Sequence, residues 1–225
     1  MINDITNTVR YILTKGQFIT KNMMGKGELL EREIFDILHN NVKGYKKVLV
    51  DLILPNGRGG TTQIDVVLIH STGITVIESK NFNGLVVGTV NDKQWSVIYP
   101  NGSEYLIYNP IMQNIGHMRA ILEAVYGTQT PGRYVFCRSL VVFGRHTSLA
   151  NGNIYEDVQG FRTLMSDVNV FEEGIKGLNT TTPCFSKKQI IDIYNKLKQY
   201  TRNDDKAKQN HVAYVNEVLS KQSSS

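Results

Sequence analysis

Cysteine is nearly missing from this chain: Cys137 and Cys184 are the only two in 225 residues. Two well-separated cysteines cannot build a zinc finger, and a disulfide framework is not expected, so the chain reads as a protein of the reducing cytoplasm. Cys137 ends the apolar run Tyr134-Val135-Phe136-Cys137 and is expected to be buried as a small hydrophobe. No apolar stretch approaches spanning length, which excludes a transmembrane helix. Residues Met1 to Asn22 lack the apolar core of a signal peptide. With five prolines and 19 glycines there is no low-complexity segment, and no internal repeat is visible. No helicase, ATPase or zinc-finger motif is present either. Neither sign of charge dominates: 25 Lys and Arg stand against 20 Asp and Glu, a net charge of +5 with pI near 9.1. Such modest basicity suits a polyanionic partner without demonstrating one.

What is present is an ordinary globular composition, 41% hydrophobic, long enough for one sizeable domain or one domain with a small extension. The most informative stretch is an apolar hairpin that carries charge. Gln63 to His70 and Ile74 to Lys80 are β-branched runs flanking Ser71-Thr72-Gly73, which predicts two antiparallel strands. Alternation puts Glu78 and Lys80 on one face. A two-residue Thr72-Gly73 loop would place Asp65 opposite Lys80 and Val67 opposite Glu78, so that Asp65, Glu78 and Lys80 converge. A one-residue slip would send Asp65 to the other face. Carboxylates and an ammonium among such apolar neighbours are costly unless they pair or hold a metal. Asp65 and Glu78, with the Ser79 carbonyl as a third oxygen, suit a hard cation such as Mg²⁺. Lys80 would then position or activate a water and offset charge on a phosphorane-like transition state. The bland alternative, at even odds for a bare D-x12-E-x-K pattern, is a salt bridge of Lys80 to Asp65 or Glu78.

Two further segments bear on that choice. Gly25 to Leu38 reads as an amphipathic helix, with Leu30, Ile34, Ile37 and Leu38 at helical spacing and Glu31 close to the buried face. Downstream, Asn109 as N-cap with Pro110 at N1 starts a helix on which Gln113 and His117 lie one turn apart. Together with Thr62-Gln63-Ile64-Asp65, Gly73 through Asn81, Gly84, Gly88 and Trp95, these segments resemble the nuclease-related domain (NERD) family, over about residues 25 to 126. That family is similar to the PD-(D/E)xK restriction-endonuclease-like nucleases. The resemblance implies that Asp65 and Glu78 are metal-binding acids, that Lys80 is the catalytic lysine and that Gln113 positions substrate or water. It implies an earlier acid too. Glu31 fits the offsets to Ile34 and Leu38, whereas the dipeptide Gly27-Glu28 would select Glu28, and Leu30 stands where the family has a second glycine.

The remaining chain reads as follows. Residues 1–24 form an N-terminal helical segment, 25–178 the nuclease-related core, and 179–225 a C-terminal helical extension with a disordered serine-rich end. Lys47 to Leu54 is a strand. Leu85-Val90, Gln94-Tyr99 and Ser103-Tyr108 form a β-meander that Trp95 packs onto the core, base stacking being the lesser alternative. Pro110 to Tyr126 is a helix, and His117 on it is expected at the core edge as a hydrogen-bond donor, with a substrate contact beside Gln113 on the shared face as the alternative. Tyr134 to Phe143 is a central strand, parallel to its neighbour across the helix. Arg162 to Val170 reads as a short helix, 179–183 as a linker, and Lys187 to Tyr200 and 205–219 as two helices. That helix pair has three open roles: clasping a duplex, covering the core, or self-association as a homodimer. Arg58 is read as a solvated loop arginine, with a phosphate contact as the alternative. Arg145 and His146 follow a strand end, where loops often face a site.

The expectation is therefore an α/β, restriction-endonuclease-like mixed sheet with flanking helices, acting as a Mg²⁺- or Mn²⁺-dependent nuclease on DNA, with RNA left open. The runner-up is a nucleic-acid-binding accessory module of a DNA-processing assembly with little catalysis. A third reading is a scaffold whose carboxylates are only salt-bridged.

Overall fold

The computed structural model describes residues 25–57, 59–127 and 136–201, together with residue 213. The readings made above for residues 1–24, Arg58 and, apart from residue 213, 205–219 lie outside the described residues.

Helix α1 (Lys26–Asn41) opens with the Glu28 carboxylate accepting the Gly25 N–H at 3.0 Å, which satisfies one of the donors orphaned at a helix start. Strands β1 (Lys46–Pro55), β2 (Thr61–His70) and β3 (Gly73–Lys80) form an antiparallel meander. Short β4 (Leu85–Val87), β5 (Gln94–Ile98) and β6 (Glu104–Tyr108) follow, then helix α2 (Pro110–Tyr126) and strand β7 (Cys137–Phe143). The chain continues through β8 (Ser148–Leu149), β9 (Ile154–Val158), β10 (Phe161–Asp167), helix α3 (Val168–Ile175), a 3₁₀ turn (Lys176–Thr180) and helix α4 (Lys187–Leu197).

The main sheet has the order β1-β2-β3-β7-β10-β9, with β7 parallel to both β3 and β10. The β3-α2-β7 crossover is the parallel unit expected from a strand, a helix and a second apolar strand. Two hydrophobic layers sandwich this sheet. Val67, Ile69, Val76 and Val141 pack with Ile111, Ile115 and Met118 of α2 and with Ile190, Ile193 and Leu197 of α4. On the opposite face Val66, Leu68, Ile77 and Val142 pack with Ile34 and Leu38 of α1 and with Val168 and Phe171 of α3. The architecture is a mixed α/β sheet flanked by helices, consistent with a restriction-endonuclease-like core. Of the three roles open to the C-terminal helices, α4 covers the core. Lys196 adds a hydrogen bond of 2.5 Å from Nζ to the Val125 carbonyl. Among the described residues no helix is long and apolar enough to cross a membrane.

Several expectations need correction. The β2–β3 turn is Ser71-Thr72, because His70 pairs with Gly73, which itself begins β3. Residues 162–170 are not a short helix: Phe161–Asp167 is a strand and helix starts only at Val168. Gln159 and Gly160 both have positive φ, 53° and 82°, the geometry of a tight hairpin turn linking β9 to β10. Phe161, Thr163 and Met165 are buried in strict alternation, a period of two that the helix reading overlooked. The β-meander is present but β4 stops at Val87, and with β8 it builds a separate four-stranded sheet, β6-β5-β4-β8. Trp95 is 1% exposed there and its Nε1 donates to the Thr89 carbonyl at 2.8 Å, so it packs and does not offer a stacking face. A side chain at Gly88 would bring Cβ within 2.2 Å of the indole, and this close approach requires glycine. The described part of the central strand begins at Cys137, whose buried thiol is pushed up to about 12.

Candidate active site

The site forms where β2 and β3 leave their ladder, beside the N-terminal half of α2. The last paired residues are Val66 and Ile77, so continuing the register brings Asp65 across from Glu78. The Ser71-Thr72 turn shifts the expected pairing by two positions, which preserves the side-chain face. Asp65 and Glu78 therefore converge as expected, although Asp65 does not sit opposite Lys80. Instead of continuing the ladder, the Asp65 carboxylate takes over its hydrogen bonds. Oδ2 accepts from the Ser79 backbone N–H and from Ser79 Oγ, both at 2.8 Å.

Glu78 is 2% exposed and meets two cations or potential cations. Lys80 Nζ lies 2.5 Å from Oε1, and His117 Nδ1 lies 3.2 Å from Oε2. The second contact is within reach but poorly directed, so Oε2 and Nδ1 both lack a proper hydrogen bond while fully buried. His117 is thus inside the cluster and not merely at the core edge. Lys80 Nζ also donates to Gln113 Oε1 at 3.2 Å. These side chains and Glu31 line one cleft of about 510 Å³, together with Gly27, Thr61, Thr62 and Gln63. Glu31 is thereby placed at the cleft, while Glu28 is occupied in capping α1. Arg145 is turned elsewhere: Nε donates to Glu33 at 2.8 Å, and Nη1 reaches Asn169.

Charge in the cleft is divided unevenly. Burial, then the neighbouring Glu78 and Glu31 carboxylates, raises the Asp65 carboxyl well above its ordinary 3.8, and Lys80 and the Ser79 N–H only partly offset this. Burial pushes Glu78 up as well, but Lys80 and His117 outweigh it and bring Glu78 down to about 2. Burial works against the Lys80 charge, yet the Glu78 carboxylate more than compensates and raises its pKa. At neutral pH the cluster therefore contains a firm Glu78–Lys80 ion pair and a reluctant acid, Asp65.

Two positioning features had little signal in the sequence. Asn114, fully buried between Gln113 and His117 in the chain, donates through Nδ2 to the Val76 carbonyl (3.0 Å), Ser139 Oγ (2.9 Å) and the Leu140 carbonyl (3.0 Å). It bonds α2 to β3 and β7, which sets the depth at which Gln113 and His117 enter the cleft. Replacing it with alanine is expected to cost about 2 kcal/mol, because buried acceptors lose their donor. Chemical denaturation checks this, and a cost below about 0.5 kcal/mol would deny Asn114 that role. The second feature is Asp51, which has φ of 56° in the middle of β1, level with Asp65 between the pairs Val50–Val66 and Leu52–Ile64. Aspartate tolerates this left-handed region better than most residues. At this point the facing residues change side: Val50 and Val66 pack toward α1, whereas Leu52 and Ile64 pack toward α2. Such irregularities re-aim side chains beside active sites. Gln63 holds Asp51 Oδ1 at 2.8 Å.

The donor set is compatible with a hard divalent cation. Both Ser79 donors go to Oδ2, so Asp65 Oδ1 accepts no hydrogen bond from a described residue, and Glu78 Oε2 is the orphaned buried oxygen. Among the described residues no group of three acids, histidines or cysteines is gathered as a ready-made metal cage.

Comparison with known proteins bears on the family of the chain and not on the roles of single residues. The chain is 26% identical over 217 residues to an uncharacterized protein of Bacillus anthracis, covering 92% of this chain and 85% of that protein. A family model for the nuclease-related domain matches residues 26–144, the span from α1 through the end of β7 that contains the whole cleft. The chain belongs to the nuclease-related domain family.

Proposed function

We propose that the protein is a metal-dependent nuclease that hydrolyses DNA phosphodiester bonds in the Asp65–Glu78–Lys80 cleft. The observation that carries this reading is the pairing of a reluctant carboxylate, Asp65, with an orphaned buried oxygen on Glu78. Such a site lowers its free energy when a cation arrives. Asp65 and Glu78 would hold Mg²⁺ or Mn²⁺, with the Ser79 carbonyl as a further oxygen. When bound, the cation supplies positive charge beside the scissile phosphate.

The chain's own residues then have separate tasks. Lys80, held cationic by Glu78, donates hydrogen bonds and does not accept a proton. It orients the attacking water, whose proton passes to solvent, and offsets negative charge as the phosphorus gains the water oxygen and releases the bridging oxygen to the leaving strand. Gln113, 3.2 Å from Nζ, keeps the ammonium turned toward the cleft and offers its amide N–H to water or phosphate. Glu31 adds a negative edge that draws a cation toward Asp65.

The rival, a binding module without catalysis, draws on one observation: Lys80 pairs with Glu78 and offsets its charge. Incubation of the protein and its Asp65→Ala variant with supercoiled, linear and single-stranded DNA, in Mg²⁺, in Mn²⁺ and in chelator, separates the two. Metal-dependent cleavage by the parent that falls at least about 10²-fold in the variant is expected. Equal cleavage by both would remove Asp65 from the mechanism. Salt-sensitive binding with no cleavage in either would establish the binding module.

A further inference from the structure

Arg138 on β7 and Arg162 on β10 are direct register partners on neighbouring parallel strands. Strand spacing puts their backbones about 4.8 Å apart. Both stand on the sheet face shared with Leu140 and Leu164, which is the α1 and α3 side. Glu78 and Lys80 alternate with Ile77 and so stand on the other face, beside α2. Thr75, the register partner of Arg138, precedes Glu78 by about 10 Å along β3. The arginine pair therefore belongs to the end where the parallel strands begin, away from the proposed nuclease cleft.

Like charges placed directly across neighbouring strands destabilise a sheet. Among the described residues neither arginine forms an ion pair. Arg138 Nη1 donates to the Thr72 carbonyl at 2.8 Å and its other N–H groups remain. Asp157, the register partner of Arg162 on its far side, is the nearby acid, and it is not within ion-pair distance of either guanidinium. The two arginines are also where two cavities meet, of about 230 and 490 Å³, since both line each one. The smaller cavity has an apolar floor that includes Leu140, Leu164 and Phe171, with the Tyr155 ring at its side.

We propose that this groove binds a nucleoside monophosphate or a closely similar ring-bearing phosphate ester. The phosphate sits between the Arg138 and Arg162 guanidiniums and the ring lies on the apolar floor beside Tyr155. Adjacent planar forks match a tetrahedral dianion with several acceptor oxygens. The anion offsets both the cross-strand repulsion and the cost of burial, which holds the Arg138 pKa below its ordinary value. This inference does not rest on the nuclease reading.

Calorimetric titration of the full chain in chelator tests it, with a nucleoside monophosphate, the bare nucleoside and inorganic phosphate as probes. The variants are R162Q and D65N. The Arg162 side chain is exposed and makes no hydrogen bond to a described residue, so R162Q is expected to fold even if loss of the Arg138–Thr72 contact would not be tolerated. The monophosphate is expected to bind at least about tenfold tighter than either fragment. R162Q should weaken it about tenfold or more, the scale of one charged hydrogen bond, and D65N should leave it unchanged. No monophosphate binding at millimolar concentration, equal binding by R162Q, or equal binding of the bare nucleoside would each overturn the proposal.

Discussion

Glu78→Gln is expected to unfold at a temperature roughly 6–12 °C below the parent in chelator at pH 7.5, and to lose metal-dependent cleavage. Glu78 is 2% exposed and Lys80 is largely enclosed beside it. Breaking a buried pair by removing one partner typically costs about 3–5 kcal/mol, because the remaining charge is stranded in low dielectric. Here Asp65 still attracts Lys80, so the low end, about 3 kcal/mol, applies. For a chain of this size that corresponds to the stated shift in Tm. The pH dependence has a definite sign. Glu78 is held at about 2 against an ordinary 4.5. Its contribution is present above pH 4.5 and is lost as pH falls through 2. The gap between parent and variant should therefore close in acid. A Tm within 2 °C of the parent at pH 7.5 would show that the ion pair is solvated and not structural.

Asp65→Asn is expected to move stability the other way. In chelator at pH 7.5 it should raise Tm by about 2–4 °C, for a gain near 1 kcal/mol, while abolishing cleavage. Burial and the Glu78 and Glu31 charges raise the Asp65 pKa, so ionising it costs folding free energy. A group raised in the folded state contributes stability that is complete below its unfolded pKa, near 3.8, and is lost as pH rises through the folded value. Asparagine removes that loss. Its side-chain oxygen can still accept from the Ser79 N–H and Oγ. The advantage should vanish below pH 4. Adding Mn²⁺ should reverse the ranking, since a ligand that binds only the native parent stabilises it by mass action. A destabilised Asp65→Asn protein would mean that the carboxylate is satisfied without a metal.

The opposed signs of these substitutions distinguish the two acids, which the sequence presents as equivalents. Their convergence was legible because alternation is robust to a two-residue shift of register, and the real turn differs from the expected one by that amount. Division of labour between them was not legible, since it depends on which acid lies nearer to Lys80 and His117. The α2 start at Asn109-Pro110 and the parallel β3-α2-β7 unit followed from capping chemistry and apolar runs. The β9–β10 hairpin did not, because Gln159-Gly160 is a weak turn signal and Leu164-Met165 suits a helix as well as a strand. Asn114 and Asp51 were also missed. A polar residue on an apolar helix face, three before His117, was the available hint for Asn114. The left-handed backbone at Asp51 leaves no trace in an otherwise alternating strand.

Titration of Mn²⁺ into the parent, Asp65→Asn and Glu78→Gln proteins, followed by calorimetry without DNA, tests the central claim most directly. The account predicts saturable binding to the parent that strengthens as pH rises and deprotonates Asp65, and that weakens by at least about tenfold in each variant. Equal binding by all three proteins, or none by the parent at millimolar Mn²⁺, would contradict it and leave the cluster as a buried salt bridge.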